Sequence, residues 1–540
     1  MLNKATGGRL GLASHWVALA LVGAFIALQA LTLNYGTRIN QLDFIRDYRI
    51  ASDVVHGSAL ERTAVIGSRD ERADTLDRWM LRFKLYPIEV DEIYNVMALA
   101  RIKPAQFQFD PHFYLYGGAF LYPLGAYFAA LSKLGALSIG SLDHMLADPQ
   151  AINHVWIAGR AFVLLAAAIS ALLFYFTILQ FAPPPIALLG LTIYLFSPAT
   201  IMYSQVLKPH WYALVYGNAA LLIMARAFVQ KHFSRTSEMM LGIALGLAVG
   251  SVSTFALFAI LVWGALLYFY WRGGMHWRTL ILIPAVAIVV WLITNPYYVL
   301  DRQALMDEVA AHPEAYTPRL TFDVLLSYLQ NSVLAGFGAV LVLIFFAIAL
   351  RDFARPASIG VRSLAIGIVI PIVVMAALLA PEQDVYANFR YIPYLLPLMV
   401  VFLAVQPLRY HKALLAMAAA GAIIQAIPLK LAYFDENSDT NSTRLAAASW
   451  IDSHVPLDDT ICISTETAPY AVPPFRFDRY KINRLDCKWR VQVEGLIQTE
   501  LTGDHWSIAR QFRPRLSPAV FPLVWGNINP KITIYRKRDS

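Results

Sequence analysis

Apolar positions in this chain come in long blocks separated by short polar connections. Uninterrupted apolar stretches run near 16–33, 156–181, 186–206, 211–230, 238–254, 255–271, 279–295, 331–350, 363–380, 391–406 and 413–433. Each has about the twenty residues needed to cross roughly 30 Å of hydrocarbon. The pattern predicts an α-helical polytopic membrane protein of about eleven transmembrane helices. The 238–271 stretch reads as two short helices, with a break near Ser251–Thr254 whose hydroxyls would satisfy the freed backbone groups. The first block, Trp16–Leu33, follows Lys4 and Arg9. It exceeds the apolar core of a signal peptide, about 7–15 residues, and reads as an uncleaved first span.

One further block, Phe113–Leu134, is settled by charge. With this block outside the count, Lys231/Arg235, Arg272/Arg278, Arg351/Arg355/Arg362 and Arg409/Lys412 all fall on the cytoplasmic side. The opposite side then carries Asp301/Asp307/Glu308/Glu314, Glu382/Asp384 and the acidic start of the tail. Counting it as a span inverts every one of these. Its Tyr114, Tyr116, Tyr122 and Tyr127, with Gly117–Gly118 and Pro123, suit an interfacial helix over 113–134. The expected organisation is a membrane domain over 1–434 with a large external loop at about 35–155. A small α/β external domain follows over 435–540, opening on a helix over Thr443–Val455, with strands at Thr460–Ser464 and Lys531–Tyr535. No internal repeat or low-complexity tract is evident.

Composition agrees. A hydrophobic share of 58% and a charged share of 15% depart from the soluble norm of roughly 45–50% and 25%. The net charge of +8 is spread over short clusters between apolar blocks, where membrane topology accounts for it, so nucleic acid is not an expected partner. The two cysteines, Cys462 and Cys487, both fall in the tail. Outside the cytoplasm they would form a disulfide adding roughly 3–4 kcal/mol; otherwise they are two buried thiols.

Polar groups at or near membrane depth are where chemistry is sought. Four stretches qualify. Asp91-Glu92 lies late in the external loop, and adjacent carboxylates on a helix point in different directions. One is then free to act as general base while the other orients, unless both simply solvate a helix start. Asp110-Pro111-His112 precedes the aromatic helix, where His112 and Tyr116 would line a lipid-headgroup site or form an aromatic belt. Lys208-Pro209-His210 ends a span, placing a cation and an imidazole for a phosphate or acceptor; the alternative for Lys208 is snorkelling. Asn388-Phe389-Arg390-Tyr391 lies at the end of another span, where a guanidinium suits phosphate. Arg160, opening the second span at the same face, joins this set. No zinc spacing, phosphate-binding glycine loop or Gly-x-Ser-x-Gly elbow occurs. Asn441-Ser442-Thr443 fits a glycosylation sequon and carries no argument.

In this order, the stretches resemble the GT-C superfamily of membrane glycosyltransferases. The likeness is to family 39, which includes protein O-mannosyltransferases, and to lipid A aminoarabinose transferases. The matching features are Asp91-Glu92, the 113–134 helix, Arg160 and Ser197-Pro198…Tyr203-Ser204…Pro209. Asn295-Pro296-Tyr297, Arg390-Tyr391…Pro393…Pro397 and Ala446–Ile451 also match. The chain departs from those families in the long insertion before Asp91. His210 stands where family 39 relatives often carry an acid. Asp110-Pro111-His112 replaces a Lys-Pro-Pro element of the aminoarabinose transferases.

The resemblance implies transfer of a sugar from a polyprenyl-phosphate carrier to an acceptor hydroxyl on a lipid, glycan or protein, with inversion. Asp91 would be the base and Glu92 its neighbour. Arg160, Lys208, Arg390 and Lys103 would hold the donor phosphate, and His112, Tyr116, His210 and Tyr391 would line the substrates. No metal site or resident cofactor is assigned, though a divalent ion is compatible with the chemistry; the lipid-phosphate sugar is the co-substrate. The expected setting is a bacterial inner membrane with a periplasmic active face. A transporter or flippase for a lipid-linked or anionic substrate, and a non-catalytic scaffold of the same fold, are the competing readings.

Overall fold

The computed structural model describes residues 7–51, 54, 75–89, 91–273, 275–310, 320–354, 359–378, 389–406, 411–463, 467–483, 486–493, 505–515 and 528–538. Lys4, Glu314, Arg355, Glu382, Asp384, Asn388, Arg409 and Ser464, with the side chain of Arg9, lie outside the described residues.

The main helices are α1 (Gly7–Ala30), α2 (Leu76–Leu85), α3 (Glu92–Arg101), α4 (Gly118–Lys133) and α5 (Pro149–Ile178). Next come α6 (Pro184–Phe196), α7 (Pro209–Gln230), α8 (Arg235–Ser251), α9 (Phe255–Trp271) and α10 (Trp277–Thr294). The last are α11 (Ala339–Ala354), α12 (Ile359–Leu378), α13 (Leu395–Ala404), α14 (His411–Glu436) and α15 (Thr443–His454). Among the described residues, six helices are long and apolar enough to cross a membrane, or seven with one bent pair counted as a span.

The other apolar blocks form shorter helices, and their punctuation residues explain why. The 186–206 block is cut at Ser197-Pro198. The Ser197 hydroxyl accepts from Thr200 N at 3.3 Å and starts a new helix, Pro198–Tyr203. The 238–271 block divides where expected, into α8 and α9 of 17 residues each. At that break the Ser251 hydroxyl donates to Leu247 O at 2.8 Å, whereas Thr254 Oγ1 has no hydrogen-bond partner among the described residues. Gly338, at φ +100°, turns the 322–337 segment by 115° into α11. The 113–134 block yields α4 of 16 residues, about 24 Å long and short of a 30 Å crossing. Boundaries moved as well: α1 ends at Ala30 rather than Leu33, and α5 starts at Pro149, inside the expected external loop.

The chain divides into two compact units, three of whose five boundaries fall inside α4, α5 and α14. The first holds residues 1–31, 113–126 and 160–427. In it α8 lies along α10 through a small-residue stripe. A Cβ on Gly242 would stand 2.7 Å from Val286 Cβ, and one on Gly246 would stand 2.6 Å from Ala287 O.

The second unit joins residues 32–112, 127–159 and 428–540, so the expected loop and tail fold together. Phe83 of the loop meets Phe477 of the tail at 5.0 Å, with Trp79 at 6.1 Å and Phe44 at 6.4 Å. Gly36 N donates to Asn437 Oδ1 at 2.8 Å. Inside this core Arg444 donates twice to the Glu436 carboxylate, at 3.0 and 2.9 Å, and also to the carbonyls of Pro469 and Tyr470. Both side chains are fully buried.

The tail carries a mixed sheet in the order β2-β1-β3-β5-β4, from β1 (Thr460–Ile463), β2 (Lys481–Asn483), β3 (Trp489–Val493), β4 (Trp506–Phe512) and β5 (Ile532–Lys537). β1 runs parallel to β2 and β3, while β5 is antiparallel to β3 and β4. β1 and β5 match the two expected strands to within two residues. Of the other three, β2 has only three residues and the edge strand β4 carries Ser507, Arg510 and Gln511, whereas β3 alternates apolar Trp489, Val491 and Val493 with polar Arg490 and Gln492, a strand signal the sequence reading passed over. Cys462 and Cys487 are joined in a disulfide, Cα–Cα 5.6 Å, which settles the choice between disulfide and free thiols.

Candidate functional site

The α8–α9 break is built to receive another backbone. Helices leave their last carbonyls unsatisfied, and Ser251 O accepts from Gly117 N at 3.0 Å. Asn295, just past α10, completes the joint: its Oδ1 accepts from Gly118 N at 2.9 Å and its Nδ2 donates to Gly250 O at 3.2 Å. Only glycine allows this approach, since a Cβ on Gly117 would lie 1.9 Å from Gly250 O and one on Gly118 2.1 Å from Thr294 O. The segment before α4 is fixed in the same way: Tyr298 donates to Tyr114 O at 2.5 Å, and Tyr114 N donates to Glu308 at 2.8 Å.

This joint sets Tyr116 in place, and around it five of the expected site residues come together in the first unit. Tyr116 stands edge-on to His210, ring centroids 6.0 Å apart, and His210 in turn meets Tyr391 at 5.9 Å. Arg390 lies over the Tyr391 ring at 4.8 Å and donates to its hydroxyl at 2.8 Å. Lys208 Nζ sits 5.6 Å from the centre of the Tyr203 ring, and Tyr203 is 6.4 Å from His210. Phe389 packs edge-on against Tyr203 at 5.3 Å and Phe337, beside the Gly338 turn, reaches Phe389 at 6.4 Å. Lys208 and His210 are each 1% exposed, so Lys208 is enclosed by protein and does not snorkel outward. The buried Lys208 and the half-buried Arg390, each held on an electron-rich ring, make a setting that attracts an anion.

Arg160, the twelfth residue of α5 rather than at its start, is fully buried. Asp91, Glu92, Lys103 and His112 belong to the second unit. There Asp91 precedes the first turn of α3, half-buried, with its carbonyl accepting from Asn95 Nδ2 at 3.2 Å. Glu92 is completely buried, so the two do not form a solvated acidic pair. His112, at φ +45°, is exposed, and its carbonyl accepts from Arg101 at the far end of α3. Ten residues of helix separate Asp91 from Arg101, about 15 Å. Lys103 is exposed beyond that end and pairs through its backbone with Gln108. Lys103 and His112 therefore do not join Asp91 in one cluster of this unit.

Sequence reasoning passed over Gln29 of α1. Fully buried, its amide donates to Ile201 O at 2.9 Å and to the Ser204 hydroxyl at 2.8 Å, steadying the turn that carries Tyr203. Its signal was a lone amide in an otherwise apolar block, costly unless paired. Tyr203 itself lay within the quoted motif without a role. A scan against models of known protein families finds no match to this chain, and a search of curated protein sequences finds none either.

Proposed function

We propose that this chain is a GT-C-type glycosyltransferase, moving a sugar from a polyprenyl-phosphate carrier to an acceptor hydroxyl at the external face of a membrane. The observation that carries this reading is the pairing of Lys208 and Arg390 with the Tyr116, His210, Tyr391 and Tyr203 rings. The acceptor oxygen forms a bond to the anomeric carbon as the bond from that carbon to the carrier phosphate breaks. The electron pair leaves with the phosphate, whose charge rises toward about −2. Fixed cations in a poorly hydrated site stabilise that charge as it develops. Lys208 and Arg390 are assigned to the phosphate, and His210, Tyr116 and Tyr391 to the walls of the substrate site. The buried Arg160 is retained as a donor-binding residue, and Asp91 is assigned as the acceptor base, both on the resemblance. A single displacement gives inversion. The external face is assigned from the charge distribution along the sequence, and the setting proposed is a bacterial inner membrane with that face periplasmic.

The test is transfer of label from radiolabelled polyprenyl-phosphate sugars to a membrane extract by the full-length protein. Wild type is expected to transfer label, with Asp91→Asn and Arg390→Ala each lowering transfer by at least about 100-fold. Equal transfer by Asp91→Asn removes the base assignment. Absence of transfer from every donor, with folded protein, removes the enzyme. One feature favours a transporter instead: the 115° turn at Gly338 interrupts an apolar helix beside the aromatic cluster, as discontinuous helices do in carriers. Movement of a lipid-linked sugar across proteoliposomes without transfer would establish that alternative.

A further inference from the structure

Just past α3, inside the second unit, the chain makes a tight hairpin over residues 103–109. Lys103 N donates to Gln108 O at 2.8 Å, and Gln108 N returns the bond to Lys103 O at 3.2 Å. Within the turn Gln106 N also donates to Lys103 O, at 2.9 Å, and Phe107 N donates to Pro104 O, at 3.1 Å. The base is tied a second time, because the Arg101 guanidinium donates to His112 O at 2.9 Å. With these backbone groups paired, the turn holds its shape.

What the turn holds out is apolar. Phe107 at its tip is 85% exposed, and Phe109 is 40% exposed. Phe107 also sits at φ +56°, in the left-handed region that a bulky side chain rarely enters. An exposed ring alone would be ordinary. A ring held in water at a strained backbone position points to a use for it. A glycine there would relieve the backbone and take the ring out of water, so folding does not account for this phenylalanine.

Composition says what the ring meets. From Lys103 to Phe109 the hairpin carries one cation, two glutamines and no carboxylate, and every residue in it is exposed. Rings flanked by amides and a lysine suit the headgroup region of a bilayer, with the ring at the acyl boundary and the ammonium at the phosphates. A stable protein interface takes about 800 Å² from each partner, whereas two aromatic side chains supply at most about 500 Å². A lipid surface needs only the ring. Six residues after Phe107, no more than about 20 Å of extended chain, begins the aromatic stretch from Phe113 that the charge pattern of the sequence assigns to the membrane interface. We infer that the 103–109 hairpin is a membrane-dipping finger, with Phe107 inserted at the headgroup–acyl boundary and Lys103 on anionic headgroups. It gives a role to Lys103, which the proposed function leaves unassigned, and it does not depend on sugar transfer.

The experiment uses the full-length protein in lipid nanodiscs. Because Cys462 and Cys487 are joined, Gln106→Cys supplies a single thiol for a nitroxide and leaves Phe107 in place. Power-saturation EPR then compares collisions with oxygen, which concentrates in lipid, and with a nickel chelate, which stays in water. In phosphatidylglycerol nanodiscs, accessibility to oxygen is expected to exceed accessibility to nickel. Adding Phe107→Ser should reverse that order. Lys103→Ala should lower the oxygen-to-nickel ratio in phosphatidylglycerol and not in phosphatidylcholine. Phe107→Gly, which suits φ +56°, should unfold in detergent at no lower temperature than wild type, so that lost insertion is not lost folding. Nickel accessibility above that of oxygen with Phe107 present would put the finger in water. Low accessibility to both would put it against protein. Either result, a ratio indifferent to Phe107→Ser, one indifferent to Lys103→Ala, or a lower melting temperature for Phe107→Gly would overturn the assignment.

Discussion

Arg444 and Arg390 are the same residue in two different settings. In the second unit Arg444 is wholly buried, its charge matched by both oxygens of Glu436 and two further donors taken by the Pro469 and Tyr470 carbonyls. Asn529 adds its backbone N–H to Glu436, while its side chain accepts from Thr443. Arg390, in the first unit, is half-buried and turned onto a phenol and its ring. A buried cation locked to a carboxylate holds a fold together, because losing either partner strands the other. A cation set on aromatic rings remains suited to an arriving anion. The charge is alike in the two; the burial and the groups each guanidinium touches differ.

That contrast can be broken most forcefully at Glu436. Glu436→Gln leaves Arg444 buried with its charge unmatched and is expected to destabilise the protein by about 3–5 kcal/mol, read by thermal unfolding in detergent. A melting temperature equal to wild type would mean that the pair is not structural. Arg390→Ala sharpens the other side: transfer falls at least about 100-fold, roughly 2.7 kcal/mol, while unfolding shifts little. If stability and activity fell in proportion, Arg390 would be a structural residue like Arg444.

Gly117→Ala tests whether the joint that positions Tyr116 is as tight as its geometry requires. The new Cβ meets Gly250 O, so the α8–α9 break or the start of α4 must shift, costing about 1–3 kcal/mol. Transfer and thermal unfolding should both be impaired.

The smallest effect lies in the second unit at Tyr48, whose hydroxyl donates to Asp77 at 2.7 Å. Burial first, and then the neighbouring Asp77 carboxylate, push this phenol up to about 12. Because the folded value is raised, its contribution is fully present below the ordinary phenol range near 10 and is lost as pH rises through about 12. Tyr48→Phe should cost about 1 kcal/mol at neutral pH. Denaturant titrations at pH 8 and pH 11.5 should show a smaller difference between the two proteins at the higher pH.

How legible these parts were differs element by element. The α8–α9 break could be read from Ser251–Thr254 because a serine and a threonine interrupt an apolar run, and that cue is local. The 10-residue α13 and the turn at Gly338 were hidden in blocks long enough to span, since hydropathy reports what a segment contacts and not where its backbone bends. In the site, Arg390, Lys208 and His210 stood out as costly residues beside apolar blocks. Gln29, equally costly, was missed because its partners Ile201 and Ser204 lie 172 and 175 positions away.

By itself the sequence determined that this is a helical chain with segments fit to cross a membrane, and which few polar residues inside or beside them call for explanation. Both follow from the cost of placing polar groups in hydrocarbon, which acts residue by residue. Only the tertiary structure decided that the first loop and the tail share a core, that Asn295 clamps Gly117–Gly118 to a broken helix, and that Lys208, His210 and Arg390 meet around Tyr203 and Tyr391. Those arrangements depend on distances between residues far apart in the chain, and no local periodicity encodes such distances.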